Sequence, residues 1–348
     1  VLYRGAGWRR AMGDTLCLLG TMLFGAGIWL VAQIYHIDEH YPNAFLVWSL
    51  GALALAWVMP SVMQGMLAAV LLTIWVCAEA AGFDHAVTWA PLLLAGALGT
   101  LAWRLRSRVL LFFTAAALLV VAATVTGTLH SNVTLILLTV AAGYLAVSEI
   151  VRARGWFAES APVWGFAGWS VFLFICYLMS FKAAVNDVLR LRYTHVTASD
   201  ALYTWLPFVA VLALWCAAAW ARATSTRRRE TDEHSFEIVL VPVALIACQY
   251  VAFSGARQYA MLAAGVFNLV LLALAMAWMV RGCRHALLRH TILGSMILAA
   301  VTAGRYFDLF ESLAVRGFTF ILIGAVLIAE GILFMRSRRR LRITGGAV

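Results

Sequence analysis

Residues 109–129, VLLFFTAAALLVVAATVTGTL, form an apolar stretch without a single charged side chain. An α-helix rises about 1.5 Å per residue, so a helix of this length crosses the hydrocarbon core of a bilayer, which is about 30 Å thick. Arg104, Arg106 and Arg108 come directly before the stretch and mark one membrane edge. The pattern therefore predicts a transmembrane helix.

The whole chain is also strongly apolar. Its 348 residues are 64% hydrophobic and 12% charged, and the mean hydropathy is +0.90. Soluble domains are about half apolar and a quarter charged. We predict an all-α, polytopic transmembrane helical bundle whose immediate partner is the lipid bilayer. The net charge of +10 is explained by basic cytoplasmic loops, so nucleic-acid binding is not expected.

Apolar runs that end at charged, proline or glycine residues predict about twelve helices. They cover residues 15–35, 44–59, 62–81, 87–103, 109–129, 133–151, 163–181, 201–221, 238–253, 259–280, 291–307 and 314–335. Two connections, 182–200 and 222–237, are long enough to hold a short interfacial helix each. No large soluble domain fits beside these segments.

Loop charge indicates the orientation of the bundle. With the N-terminus inside, the cytoplasmic loops contain most of the 26 basic residues, and Lys182, Arg190, Arg192, Arg257, Arg305 and Arg316 remain on the other side. This alternation predicts that both ends are cytoplasmic, with an N-terminal stub (1–14), a transmembrane helical domain (15–335) and a basic tail (336–348). We expect the tail to contact lipid through Arg336, Arg338, Arg339 and Arg340.

The end of the first predicted helix and the loop after it, residues 33–42 (QIYHIDEHYP), form the most distinctive polar segment. His36 and His40 are four residues apart, so on a continuous helix they would share one face and could bind the same metal ion. His85 and His130 are predicted on the same side of the membrane and complete the set of possible haem or divalent-metal ligands. No HExxH pattern is present, and we predict no cofactor.

The same segment has two other interpretations. Gln33, Tyr35 and His36 form a polar surface that faces a substrate, or they form an ordinary interfacial cap, which Pro42 ends. The sequence leaves these alternatives open.

Carboxylates at membrane depth are costly and need a partner or a function. Glu79 lies near the non-cytoplasmic end of the third predicted helix, where substrate binding and a buried hydrogen bond are both possible. Glu330 precedes Arg336 by about a turn and a half, and we interpret it as a partner of the basic tail.

Arg305 and Asp308 are three residues apart near the C-terminal end of the chain, on one helical face where an ion pair can form. The pair either fixes the turn between the last two helices or presents Arg305 to an anionic group, which a planar guanidinium binds well. We predict that Gln33–His36, Glu79 and Arg305–Asp308 converge on one polar, periplasm-facing cavity.

The N-terminal stretch 24–37 (FGAGIWLVAQIYHI), followed by 45–48 (FLVW), resembles a family of bacterial inner-membrane proteins classed as "predicted membrane protein, domain of unknown function". The C-terminal stretches 305–310 (RYFDLF) and 316–320 (RGFTF) are similar to the end of that family. The resemblance implies a multi-pass protein of the bacterial inner membrane, commonly with a soluble cytoplasmic segment ahead of the first helix. It implies no reaction, cofactor or ligand.

Four functions remain open at this point. The first is a carrier, or a membrane-embedded subunit of an envelope assembly, with another membrane protein or a second copy as its partner. The second is an envelope enzyme acting on a lipid-linked substrate, with His36 as general base and Arg305 stabilising an anion. The third is a haem or metal protein, and the fourth is a purely structural partner. Whether the protein is an enzyme stays open.

Overall fold

A computed structural model describes residues 8–36, 40–190, 198–225, 235–254 and 260–308, together with residues 317, 321, 324–326, 328–333, 335 and 336. Within these residues the chain is helical and has no strand, which confirms the all-α prediction. The chain divides into two compact units. The first unit comprises Val1–Phe172 and Tyr193–Thr226, and the second comprises Leu173–Arg192 and Arg227–Val348.

The helices follow the apolar runs of the sequence. The first unit contains α1 (Trp8–Ile34), α2 (Pro42–Val58), α3 (Val62–Phe83), α4 (Ala90–Leu93), α5 (Thr100–Leu105), α6 (Arg108–Thr128), α7 (Val133–Arg154) and α10 (Ala198–Ala223). Helix α8 (Ala161–Met179) begins in the first unit and ends in the second, which also contains α9 (Lys182–Arg190), α11 (Ser235–Ser254), α12 (Ala260–His285), α13 (Leu288–Asp308) and the helical segment Gly324–Leu333.

Side-chain caps begin three of the apolar helices. Ser61 accepts a hydrogen bond from the backbone N–H of Gln64, and Ser107 and Asn132 make the equivalent contact three residues further along at the starts of α6 and α7. Such caps satisfy backbone donors that the first helical turn leaves free. The short polar breaks between the apolar runs therefore set where these helices start.

Small residues let the helices of the first unit approach closely. Ala52, Ala56 and Ala68 are completely buried in the contact between α2 and α3. In α1, Gly25 packs directly under the indole ring of Trp48 from α2, and a methyl group at Gly25 would overlap that ring. The small-residue face of the first helix thus has a defined packing partner.

In the second unit, α12 and α13 pack as an antiparallel pair. Gly294 of α13 lies against Met279 and the carbonyl oxygen of Ala275, and Gly282 of α12 lies against Thr291. Ala275, Met279 and Leu298 form a small buried cluster against which Val326 packs. The C-terminal helical segment therefore covers one side of this pair.

Seven helices of the described residues are long and apolar enough to cross a membrane, namely Ala11–Ile34, Val62–Phe83, Arg108–Thr128, Val133–Arg154, Ala158–Met179, Leu202–Ala223 and Ala260–His285. Shorter apolar helices cover Pro42–Val58, Ala90–Leu105, Phe236–Tyr250 and Gly324–Leu333. These helices support a protein that crosses the membrane several times. The count of twelve crossings and the cytoplasmic location of both chain ends stay predictions.

The first and the fourth helices begin at other residues than the sequence predicts. Helix α1 begins at Trp8, within the predicted N-terminal stub, and the part of it that is apolar enough to cross a membrane begins at Ala11. The fourth predicted helix starts only at Ala90 and changes to a π-helical turn at Leu94–Gly99. The loop 182–200 contains the short helix α9, as its length allowed.

Candidate functional site

The carboxylate of Glu79 is the centre of a polar cluster in the first unit. Glu79 lies in the last turns of α3 and is 2% exposed. The helix ends at Phe83, and Asp84 adopts a left-handed conformation with φ of 49°. The backbone N–H groups of Asp84 and His85 both donate to the carbonyl oxygen of Glu79. This turn brings His85 back towards the Glu79 side chain.

Two histidines and a tryptophan surround the carboxylate. The Nε2 atom of His40 lies 2.8 Å from Oε1 of Glu79, and Trp75 donates from Nε1 to the same oxygen at 3.0 Å. The Nδ1 atom of His85 lies 3.5 Å from the other oxygen, Oε2. Within the described residues, Oε2 is buried and has no hydrogen-bond partner. Oε1 thus lies within hydrogen-bond distance of two side chains, whereas Oε2 has only the longer contact with His85 among the described residues.

Aromatic rings pack against one another beside the cluster, at the end of α3. The rings of His40 and Phe83 lie 4.1 Å apart, and the ring of Tyr41 lies 5.9 Å from that of Phe83. The side chains of His40 and His85 are 37% and 65% exposed, whereas that of Glu79 is 3% exposed. The two histidine side chains therefore lie between the buried carboxylate of Glu79 and the surface of the unit.

The charge of Glu79 has no arginine partner among the described residues, which distinguishes it from two other buried glutamates. Glu149 contacts Arg152 at 2.8 Å and Arg222 at 3.3 Å. Glu237 contacts Arg281 at 2.8 Å and also accepts a hydrogen bond from Trp278. Glu149 and Glu237 are neutralised within the protein, whereas the described partners of Glu79 are histidine and tryptophan.

Residues 1–65 match the family described as "Predicted membrane protein (DUF2157)". The match covers α1, α2 and the start of α3, so it includes His40 and ends before Glu79. It supports similarity to an uncharacterised membrane family, and the similarity of the C-terminal motif stays a prediction. No curated protein and no solved structure matches the chain.

The histidines of the predicted metal site do not share one helix face. Helix α1 ends at Ile34, and His36 lies in a turn with φ of 51°, so the i, i+4 relationship with His40 is not helical. His130 also lies in a turn and is exposed. Only His40 and His85 meet, at Glu79. Within the described residues, no three His, Cys, Asp or Glu side chains are arranged to hold a metal ion.

The polar residues at the end of α1 are exposed. Gln33, Tyr35 and His36 are exposed, and their side chains make no hydrogen bond or ion pair with other described residues. They surround the end of a helix, as an interfacial cap does, and their role in binding a substrate stays a prediction.

Arg305 of the second unit is bound by neighbouring groups. Its Nε atom donates to Oδ1 of Asn268 at 3.2 Å, and its Nη2 atom donates to the carbonyl oxygen of Ser180. The guanidinium also lies 4.8 Å from the centre of the Phe181 ring. These contacts connect α13 with α12 and the end of α8. Asp308 ends α13, and its side chain lies outside the described residues, so the predicted Arg305–Asp308 pair remains a prediction.

Gln33–His36 and Arg305–Asp308 belong to different units of the chain, and their common cavity stays a prediction. In the basic tail, Arg336 is exposed, whereas Arg338, Arg339 and Arg340 lie outside the described residues.

No sequence pattern identified Glu149 and Glu237 as buried, paired glutamates. Their arginine partners were counted only as loop charges that indicate orientation. The spacing of Glu149 and Arg152, three residues apart on α7, is a local signal that identifies one of these pairs. Glu237 and Arg281 are far apart in the sequence and give no such signal.

Proposed function

We propose that this protein is a membrane carrier whose binding site for a small monovalent cation is centred on Glu79. The observation that carries the proposal is a buried carboxylate with one oxygen, Oε2, that accepts no hydrogen bond from the described residues. A buried carboxylate without full pairing is costly, and a cation at Oε2 would supply the missing partner.

The charge balance of the cluster supports a cation as the ligand. As a carboxylate, Glu79 contributes the negative charge. Trp75 donates a hydrogen bond to Oε1, and a neutral His40 with its proton on Nε2 donates to the same oxygen without a formal positive charge. A glutamate that is already paired with arginine offers no net charge to an incoming cation. Glu79 is therefore better suited to binding than Glu149 or Glu237.

The exposure gradient supports access from one side. His85 is 65% exposed and lies next to Oε2, while Glu79 itself is 3% exposed. A solute that reaches His85 from the aqueous side thus needs only a small displacement of this side chain to contact the carboxylate. By the predicted orientation, that side is the periplasm.

The other candidate functions have weaker support. The enzyme hypothesis uses His36 as a general base, yet His36 is exposed and has no polar side-chain contact within the described residues. A purely structural role is favoured by complete pairing of the polar groups, and Oε2 of Glu79, 3.5 Å from Nδ1 of His85, accepts no hydrogen bond from the described residues.

The proposal is tested by flux measurements on the full chain in proteoliposomes. Radiolabelled sodium, rubidium and methylammonium serve as probes, and protein-free liposomes give the background. We expect at least one probe to enter faster than background, and Glu79→Gln to reduce its initial rate about tenfold, since a charge-assisted contact contributes about 1.5–3 kcal/mol.

Glu159→Gln is the matched control, because Glu159 is an exposed glutamate paired with Arg108; it should transport as the unmodified protein does. His85→Gln is a second variant at an exposed position, and we expect it to raise the KM for the probe without changing the thermal midpoint. Background flux for every probe, or unchanged flux in Glu79→Gln, would overturn the proposal.

A further inference from the structure

The second unit contains a cavity of about 770 Å³ between α12 and the C-terminal helical segment Gly324–Leu333. Its apolar part is formed by Met276, Met279 and Val280 of α12 together with Leu333. Its volume lies in the range of small-molecule sites, which is about 300–1,000 Å³. Several apolar side chains at this cavity are exposed, including Met276 and Leu333.

The polar part of the cavity contains a buried carboxylate. Glu330 lines the cavity and is 6% exposed. Its Oε2 atom accepts a hydrogen bond from Ser295 at 2.8 Å, whereas Oε1 is buried and has no hydrogen-bond partner among the described residues. The described partner of Glu330 is the hydroxyl of Ser295, and its predicted pairing with the basic tail, most of which lies outside the described residues, stays a prediction. An unpaired buried carboxylate oxygen is costly, and a ligand with an N–H donor would remove that cost.

Two arginines border the same cavity. Arg284 lies near the end of α12 and Arg336 follows the C-terminal segment, and both are exposed. Guanidinium groups bind phosphate oxygens well because their planar donors match two oxygens at once. The cavity therefore has one carboxylate and two arginine side chains at its polar end.

An amine-bearing phospholipid satisfies each of these features at once. Its ammonium group donates hydrogen bonds to a carboxylate, its phosphate binds guanidinium groups, and its acyl chains require an apolar surface. The order of residues along α12, from Met276 to Arg284, changes from apolar to basic. This order matches the passage from acyl chain to headgroup at a membrane surface.

We infer that this cavity binds a phospholipid with a primary-amine headgroup, in which Glu330 accepts from the ammonium while Arg284 and Arg336 hold the phosphate. The basic side of the bundle is predicted to be cytoplasmic, which places this lipid in the inner leaflet. The inference uses residues of the second unit and does not depend on the Glu79 site.

The inference is tested by native mass spectrometry of the full chain titrated with three lipids of equal acyl chains. Phosphatidylethanolamine has N–H donors, phosphatidylcholine has a quaternary ammonium without them, and phosphatidylglycerol has no amine. We expect the first lipid to bind about tenfold more tightly than the other two, the size expected for a charge-assisted hydrogen bond. Equal affinities for the three lipids would overturn the inference.

Two variants separate the parts of the site. Glu330→Gln should remove the preference for the amine lipid, whereas Arg336→Gln, at an exposed position, should weaken the amine and glycerol lipids by a similar factor and keep their ratio. Glu159→Gln is the control and should bind as the unmodified protein does. An unchanged lipid preference in Glu330→Gln, or unchanged affinities in Arg336→Gln, would contradict the assignment.

Soluble competitors distinguish a lipid headgroup site from a site for free phosphate. Phosphoethanolamine should displace the bound amine lipid at a lower concentration than inorganic phosphate does, because only phosphoethanolamine reaches both Glu330 and the arginines. Equal displacement by the two compounds would show a phosphate site without amine recognition and would overturn the inference.

Discussion

The Nε2 atom of His40 lies 2.8 Å from Oε1 of Glu79, a contact between residues that are 39 positions apart in the sequence. His40 belongs to the turn before α2, and Glu79 belongs to the last turns of α3. The antiparallel packing of α2 on α3 returns the chain to the same end of the unit. The contact therefore depends on the packing of α2 on α3, which places His40 beside the buried carboxylate of Glu79.

The coupling between His40 and Glu79 is measurable by a double-mutant cycle. We expect His40→Ala and Glu79→Gln to be non-additive in unfolding free energy by about 1 kcal/mol, as residues in direct contact are. The measurement is equilibrium unfolding of the purified chain in detergent. His36→Ala with Glu79→Gln is the control pair and should be additive. Additivity of both pairs would contradict the contact.

Glu149 and Glu79 should respond differently to loss of charge. Glu149→Gln leaves Arg152 and the largely enclosed Arg222 without their carboxylate, and breaking a buried ion pair costs about 3–5 kcal/mol. Glu79→Gln keeps an oxygen acceptor for Trp75 and His40, so we expect a smaller loss. Thermal midpoints of the two variants give the comparison, and an equal or larger loss for Glu79→Gln would contradict the distinction between paired and available glutamates.

The two glycines of α1 should give opposite results when each is replaced by alanine. A methyl group at Gly25 overlaps the ring of Trp48, whereas Gly27 has no atom within 4 Å of its added methyl. Gly25→Ala should lower the thermal midpoint through overpacking, which costs about 1–3 kcal/mol. Gly27→Ala should keep or raise it, because alanine favours a helix by up to about 1 kcal/mol. Equal midpoints would contradict the packing of α1 on α2.

Arg305→Lys tests whether the guanidinium fixes α13 in place. Lysine keeps the charge but cannot donate to Asn268 and the Ser180 carbonyl in the planar geometry of arginine, and it stacks less well on Phe181. We expect a loss of about 1–2 kcal/mol, the size of one or two hydrogen bonds, in thermal unfolding. Arg154→Lys, at an exposed position at the end of α7, is the control. If both variants unfold alike, the contacts of Arg305 are not structural.

The sequence predicts the starts of α6 and α7 well because a polar capping residue precedes each apolar run. Ser107 before α6 and Asn132 before α7 are local signals, and the predicted starts at 109 and 133 lie within a residue of the helices. The start of α1 is missed because Arg9, Arg10 and Asp14 interrupt the apolar pattern before Thr15. Hydropathy also does not indicate the π-helical turn at Leu94–Gly99.

The site is predicted only in part. Glu79 is identified from the sequence because a carboxylate within an apolar run is costly at any depth in the membrane. Depth in the membrane does not identify His40 and His85 as the contacts, since His40 is 39 positions from Glu79 and meets it only through the packing of α2 on α3. Arg305 was identified by its predicted side of the membrane, but its partners, Asn268 and the Ser180 carbonyl, are neutral and give no charge pattern.

We propose that Oε2 of Glu79 binds a cation that enters past His85. The most direct measurement is the rate at which a membrane-impermeant maleimide labels His85→Cys in a chain whose own cysteines are replaced by serine or alanine. A cation transported in the flux assay should slow labelling, and adding Glu79→Gln should abolish this protection. Protection that persists with Glu79→Gln, or no protection by a transported cation, would contradict the account.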